Sequence, residues 1–170
     1  FDQIEKRLNS LNSKNSDAKE PSEDKLQSFI NLYTQGQYQK ALMQASQLLE
    51  EFPRSVNLCN IIGVVYKGLG KLDEAIEAYK KAISIKPDFT QAFNNMGIAL
   101  KERGDLVEAV NTYKNSIAIS AGSSSTYNNL GNALKELGKL DEAKQAYEKA
   151  LSLNPSNSEI HNNMGVILQE

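Results

Sequence analysis

The chain has 170 residues and a mass of 18.8 kDa, enough for one ordinary domain with a real core. Its 40% hydrophobic and 24% charged content is that of a folded chain rather than a disordered one. A net charge of −2 without clustered Lys/Arg argues against nucleic acid as a partner, no apolar run approaches the roughly 18 residues of a membrane span, and one cysteine excludes an internal disulfide framework.

The first residue is Phe, not Met, so the lack of a signal pattern carries little weight. FDQIEKRLNSL places Phe1, Ile4, Leu8 and Leu11 on one helical stripe, and the polar NSKNSDAKEP comes next. Residues 1–21 therefore read as an amphipathic helix and a linker. The helix is expected either to pack on the adjoining part of the fold or to dock in a groove against Ile30, Val64 and Ile98.

From residue 22 the chain repeats itself. FNNMGIALKE at 93–102 returns as YNNLGNALKE at 127–136 and HNNMGVILQE at 161–170, at an interval of 34 residues. LGKLDEAIEAYKKAISIKP at 69–87 returns as LGKLDEAKQAYEKALSLNP at 137–155. In register, the units are 22–55, 56–89, 90–123 and 124–157, with a partial unit at 158–170.

Each unit predicts helix–turn–helix. In 56–89, Leu72, Ala75, Ile76 and Tyr79 fall at i, i+3, i+4 and i+7, one face of a helix. Gly70 divides this run from an earlier one, Ile62 to Tyr66, and Pro87 ends it. No segment alternates as a strand would. The first unit departs most, with Phe29 in place of Gly, Ala45 in place of Tyr and Leu48 in place of Ala, as suits an end repeat. The third has Ser116 and Ala121 where others have Ala and Pro, with Gly122 as the helix stop and Ser124 or Ser125 as the next cap.

Gly63, Gly97, Gly131 and Gly165 lie inside predicted helices, where each costs about 1 kcal/mol against Ala. A small residue at one place in every unit implies close approach of a neighbouring helix. Ala75, Ala109 and Ala143 imply the same on the second helices.

The Leu-Gly pair, an aromatic or Leu three residues on, a turn Gly, then Ala, aromatic, Ala and Pro resemble the tetratricopeptide repeat over about 22–170. The resemblance implies an all-α, right-handed superhelical solenoid of antiparallel helix pairs, four repeats plus one extra helix. It also implies that the first helices line a concave side and that the domain is a protein-interaction scaffold.

Residues suggestive of chemistry have simpler explanations. Cys59 and His161 share one repeat position with Phe93 and Tyr127, a packing position between helices. Asp73, Glu74, Asp141 and Glu142 open second helices, where negative charge meets the positive dipole end. Gly63, Gly68 and Gly70 form no phosphate loop, and Tyr79, Tyr113 and Tyr147 are core at helical spacing. The expectation is a non-enzyme without catalytic residues, metal or cofactor, located in the cytoplasm.

On the first helices, the stripe opposite the core carries rows of one residue type. One row is Asn60, Asn94, Asn128 and Asn162; a second is Asn95, Asn129 and Asn163; a third is Lys67, Lys101 and Lys135; Asn132 lies beside them. Asn is a mediocre helix former, so solubility does not explain it. An amide offers donor and acceptor together and can pair with a peptide backbone whatever its side chains.

The second row resembles the asparagine ladder inside protein O-linked N-acetylglucosamine transferases, matched by Asn95, Asn129 and Asn163 and broken by Ile61 and Gln27. Carboxylate-clamp binding of acidic tails is not expected, because the early first-helix positions hold Asn, Gln, Ser, Glu and Leu26. The expected partner is an extended or helical peptide, or a protein, in the groove. The alternatives are a substrate-recruiting arm of a larger glycosyltransferase-like enzyme and a self-association module, through the last helix or the N-terminal segment. Met164, Ile167 and Leu168 on the last helix are expected to lie open.

Overall fold

A computed structural model describes residues 20–167. The regular structure of these residues is helical throughout. Four antiparallel pairs succeed one another: α1 (Glu23–Thr34) with α2 (Tyr38–Glu51), α3 (Val56–Gly68) with α4 (Leu72–Ile85), α5 (Thr90–Arg103) with α6 (Leu106–Ile119), and α7 (Ser124–Glu136) with α8 (Leu140–Leu153). A last first-type helix, α9 (Ser158–Ile167), completes the described residues. The first helices begin at Glu23, Val56, Thr90, Ser124 and Ser158. The stripe 1–19 and Leu168 to Glu170 lie outside the described residues.

Each pair turns on a glycine with positive φ. Gly70 has φ of +73°, a left-handed conformation in which any Cβ is strained. The helix starts use local side chains where they can. Ser55 Oγ accepts the Leu58 N–H at 3.0 Å and Ser123 Oγ accepts the Thr126 N–H at 3.1 Å. The cap after Gly122 is thus Ser123, one residue ahead of the expected Ser124 and two ahead of Ser125. Gly122 itself is left-handed, which brings the chain round early.

Successive first helices touch: α3 meets α5, α5 meets α7, and α7 meets α9. Second helices pack on the first helices either side of them and are held apart from each other. First helices consequently crowd the inner side of the stack and second helices spread over the outer side. That is the concave and convex geometry of a helical solenoid.

What seals one repeat to itself is a tyrosine ring on a glycine. The rings of Tyr79, Tyr113 and Tyr147 are fully buried. A Cβ placed on Gly97 would lie 2.5 Å from the Tyr113 ring, and one on Gly131 would lie 2.6 Å from that of Tyr147. The helical glycine is the seat that lets the ring enter. At Gly165 nothing among the described residues lies within 4 Å. In the first repeat the bulk has changed sides: Phe29 replaces the glycine, Ala45 replaces the tyrosine, and both are buried.

The open face expected on α9 is smaller than the sequence suggested. Ile167 is buried and Met164 packs against the core, because α8 covers that side of the helix. Cys59 is buried, but His161, at the same repeat position, is exposed and lies 2.8 Å from the Pro155 carbonyl.

The three tyrosine hydroxyls differ. Tyr147 donates to Asn132 Oδ1 at 2.7 Å, whereas Tyr79 and Tyr113 find no partner among the described residues. The corresponding positions hold Val64 and Ile98. Tyr113→Phe should therefore leave stability unchanged or raise it. Tyr147→Phe should cost about 1 kcal/mol by urea denaturation, because it strands the Asn132 amide. Burial, then the charges of Glu136 and Glu159, push the Tyr147 phenol up from 10.0 to about 12. The unfolded chain loses this proton first as pH rises, so stability is complete below pH 10 and falls toward pH 12. Tyr147→Phe should flatten that fall.

Candidate functional site

The asparagine rows are not two independent stripes. Each outer amide donates to the inner amide of the preceding repeat: Asn95 Nδ2 to Asn60 Oδ1 at 3.0 Å, Asn129 to Asn94 at 3.3 Å, and Asn163 to Asn128 at 3.1 Å. The partners are 35 residues apart, one more than the repeat, so comparing equal positions does not reveal them.

These rungs sort the asparagines by environment. Asn60 and Asn128 are 4% and 6% exposed, so the expectation that they face the groove is corrected. They lie in the seams because neighbouring first helices approach there, and an amide buried so deeply needs its partner. Asn128 also donates to Glu159 Oε1 at 3.0 Å. Asn94, Asn95, Asn129 and Asn163 are partly exposed, and Asn162 is exposed. Asn132 does not join the ladder, since its oxygen receives the Tyr147 hydroxyl.

The lysine row keeps the same offset. Lys67 meets Glu102 at 3.2 Å and Lys101 meets Glu136 at 2.9 Å, each across one seam. Both lysine side chains are largely covered, and the carboxylates are more open. Such half-exposed pairs contribute about 0–1 kcal/mol each. The lysines present paired charge rather than bare cations. Lys135 is partly exposed in the same register.

A signal for the rungs did exist in the sequence. Where the ladder stops, both partners change together: the positions before Asn60 and Asn95 are Leu26 and Ile61, and both pack against the core of the first seam. The charged rung ends the same way. A Cβ on Gly68 would lie 3.3 Å from the Tyr33 ring, so an aromatic and a glycine replace Lys and Glu.

The outcome is a concave surface crossed by a line of hydrogen-bonded amides. An amide carries two N–H donors and a carbonyl acceptor, and one rung bond uses one N–H of each outer asparagine. The second N–H and the oxygen of Asn95, Asn129 and Asn163 make no further hydrogen bond among the described residues.

Three matches to family models cover parts of the chain. Residues 63–104 match a "TPR repeat", and 124–157 and 146–170 each match a "Tetratricopeptide repeat". None of these models is that of an enzyme. No curated protein matches the chain. Among solved structures, the first TPR of Spaghetti (RPAP3) bound to the HSP90 peptide SRMEEVD is 30% identical, with a TM-score of 0.66. The match covers 67% of this chain and 90% of that one. MamA is 24% identical with a TM-score of 0.76, over 82% of this chain and 81% of that one. PilF of Pseudomonas aeruginosa is also 24% identical, with a TM-score of 0.79, over 86% of this chain and 67% of that one. The last two show likeness of fold.

Proposed function

The chain belongs to the tetratricopeptide repeat family, and from that premise we propose that its concave face binds an extended polypeptide segment through the outer amides of Asn95, Asn129 and Asn163. One observation carries the reading. The three amides stand in line on successive helices, each oriented by its rung and each retaining a donor and an acceptor. Amides held in place before binding lose little entropy on contact with a ligand.

The solved relative with the acidic peptide SRMEEVD supports peptide binding as the general mode. The specificity differs here. Acidic tails call for basic residues early on the first helices, and this chain has Gln91, Asn94, Ser125, Asn128 and Glu159 there. Lys67 and Lys101 are paired with carboxylates, so a segment of low net charge fits better than an acidic one. The likeness to protein O-linked N-acetylglucosamine transferases rests on the outer amides alone. Each amide contact nets about 0.5–1.5 kcal/mol, so three of them give weak, permissive binding.

The test must not strand a rung partner, as Asn→Ala at the outer positions would. Asn94→Leu with Asn129→Ile copies the Leu26 and Ile61 rung and removes both amides together. A displayed library of linear peptides selected on the wild type supplies the probe. Affinity of the selected peptides should fall about tenfold in the double variant, the equivalent of one or two lost hydrogen bonds. Equal affinity, with the helical circular dichroism of the wild type, would remove the amide ladder as the binding element.

A further inference from the structure

The seam between the first and second repeats is the loosest of the solenoid. From α4 to α9 the core is one continuous cluster, while Phe29, Ala41, Ala45, Leu48, Leu58, Ile62 and Val65 form a cluster of their own. Three positions buried at later seams are partly exposed at this one. Leu42 stands where Ile76 and Val110 are buried, Tyr66 where Leu100 and Leu134 are buried, and Ala78 where Thr112 and Ala146 are buried. Ala45 contributes no ring to this seam, and the Phe29 ring that replaces it comes from α1.

The looseness leaves an apolar cleft of about 600 Å³ between α2 and α4 on the convex side. Leu42, Leu49, Ile62 and Tyr66 are among the residues that form its floor. Asp73, Glu74 and Glu77 stand on its rim, and Lys81 lies toward one end. The rim carboxylates are mostly in solvent: Asp73 is 80% and Glu77 72% exposed, with Arg103 and Lys80 at their edges. The site is thus an apolar trough with a border of paired charges, of a size that takes the apolar stripe of a short helix.

The preceding segment of the chain has an apolar stripe to match and sufficient reach. Glu20 is fixed at the N-terminus of α3, accepting the Val56 N–H at 3.0 Å and the Ser55 hydroxyl, and Pro21 is buried. The antiparallel pairing of α3 with α4 puts Lys81 beside that end of α3. Residues 12–19 can span about 26 Å when extended, and α3, at 13 residues, is about 20 Å long. Every part of the trough is therefore within reach of the chain before residue 12. That chain carries the stripe Phe1, Ile4, Leu8 and Leu11, with Arg7 at one edge of it and Glu5 at the other.

We propose that residues 1–11 lay this apolar stripe in the cleft between α2 and α4 of their own chain. The segment supplies the surface that Ala45 withholds and clasps the first repeat to the second. The concave groove stays free of it.

Disulfide trapping in the full chain tests the clasp, with Leu8→Cys combined with Ala78→Cys in the cleft. The native thiol interferes little: Cys59 is buried, and that burial pushes its pKa up. Mild oxidation should give an internal disulfide at monomer mobility. It should form at least about tenfold faster than the groove control, Leu8→Cys with Ile98→Cys, given the high effective concentration of a docked segment. A disulfide-linked dimer would place the segment in a second copy, and equal or faster reaction at residue 98 would place it in the groove; either overturns the proposal, as does the absence of a cross-link. As an independent measurement, Leu8→Asp should speed amide exchange in α2 and α4 about tenfold, and unchanged exchange there would overturn the clasp.

Discussion

Gly97→Ala is expected to destabilise the fold by about 1–3 kcal/mol, although alanine is the better helix former by about 1 kcal/mol. The added methyl would stand 2.5 Å from the Tyr113 ring, and that ring is fully buried in a close-packed core. Overpacking therefore outweighs propensity. Gly131→Ala should behave alike, against Tyr147. Gly165→Ala should do the reverse and stabilise by up to about 1 kcal/mol, because no atom of the described residues lies within 4 Å and propensity acts alone. Three substitutions at one repeat position thus carry opposite signs, readable as shifts in urea midpoint at constant slope. A stabilised Gly97→Ala would mean that the tyrosine seat is not tightly filled.

The second expectation concerns the rung between Asn60 and Asn95. Asn95→Ile alone leaves the Asn60 carbonyl, in a residue 4% exposed, without the amide that donates to it at 3.0 Å. Such an orphaned buried group costs about 1–3 kcal/mol. Asn60→Leu alone strands Asn95, which is better hydrated, and should cost less. The double variant recreates the pairing found one repeat earlier, Leu26 with Ile61, where both side chains join the core. It should recover most of the loss, with a coupling of about 0.5–3 kcal/mol between the two sites. Simple additivity in a double-mutant cycle would show that the rung does not hold the seam. The asparagines would then owe nothing to packing, which would strengthen their assignment to ligand contact and weaken their role as a hydrogen-bonded line.

These two expectations also mark what was legible in the sequence. The glycine and tyrosine columns appeared as repeated letters, and close approach was the direct inference from Gly97 at a position where alanine would favour the helix. The asparagine rows were equally visible, but their division of labour was not. Asn60 and Asn94 are the same letter in the same register, and one is buried while the other is partly exposed. Asn132 looked like a member of the groove and instead receives a phenol from below. Lys101 read as one of a row of groove lysines and has Glu136 of the next repeat beside it. Ile167 was expected to lie open and is covered by α8.

The division has a physical cause. Helix boundaries, turns and the face each helix buries depend on residues a few positions apart, so a 34-residue repeat of glycine, alanine, tyrosine and apolar spacing was sufficient to specify a stack of helix pairs. Contacts between repeats depend on how one pair is displaced against the next. That displacement advances the facing partner by one residue, to an offset of 35, and joins letters that the period keeps in separate columns. It also varies along the stack. Exchanging a Gly–Tyr pair for Phe29 and Ala45 keeps the first repeat filled, yet its seam with the second stays parted. The rungs, the paired lysines and the apolar cleft are all products of that displacement, which is set by side chains packed across helices far apart in the chain.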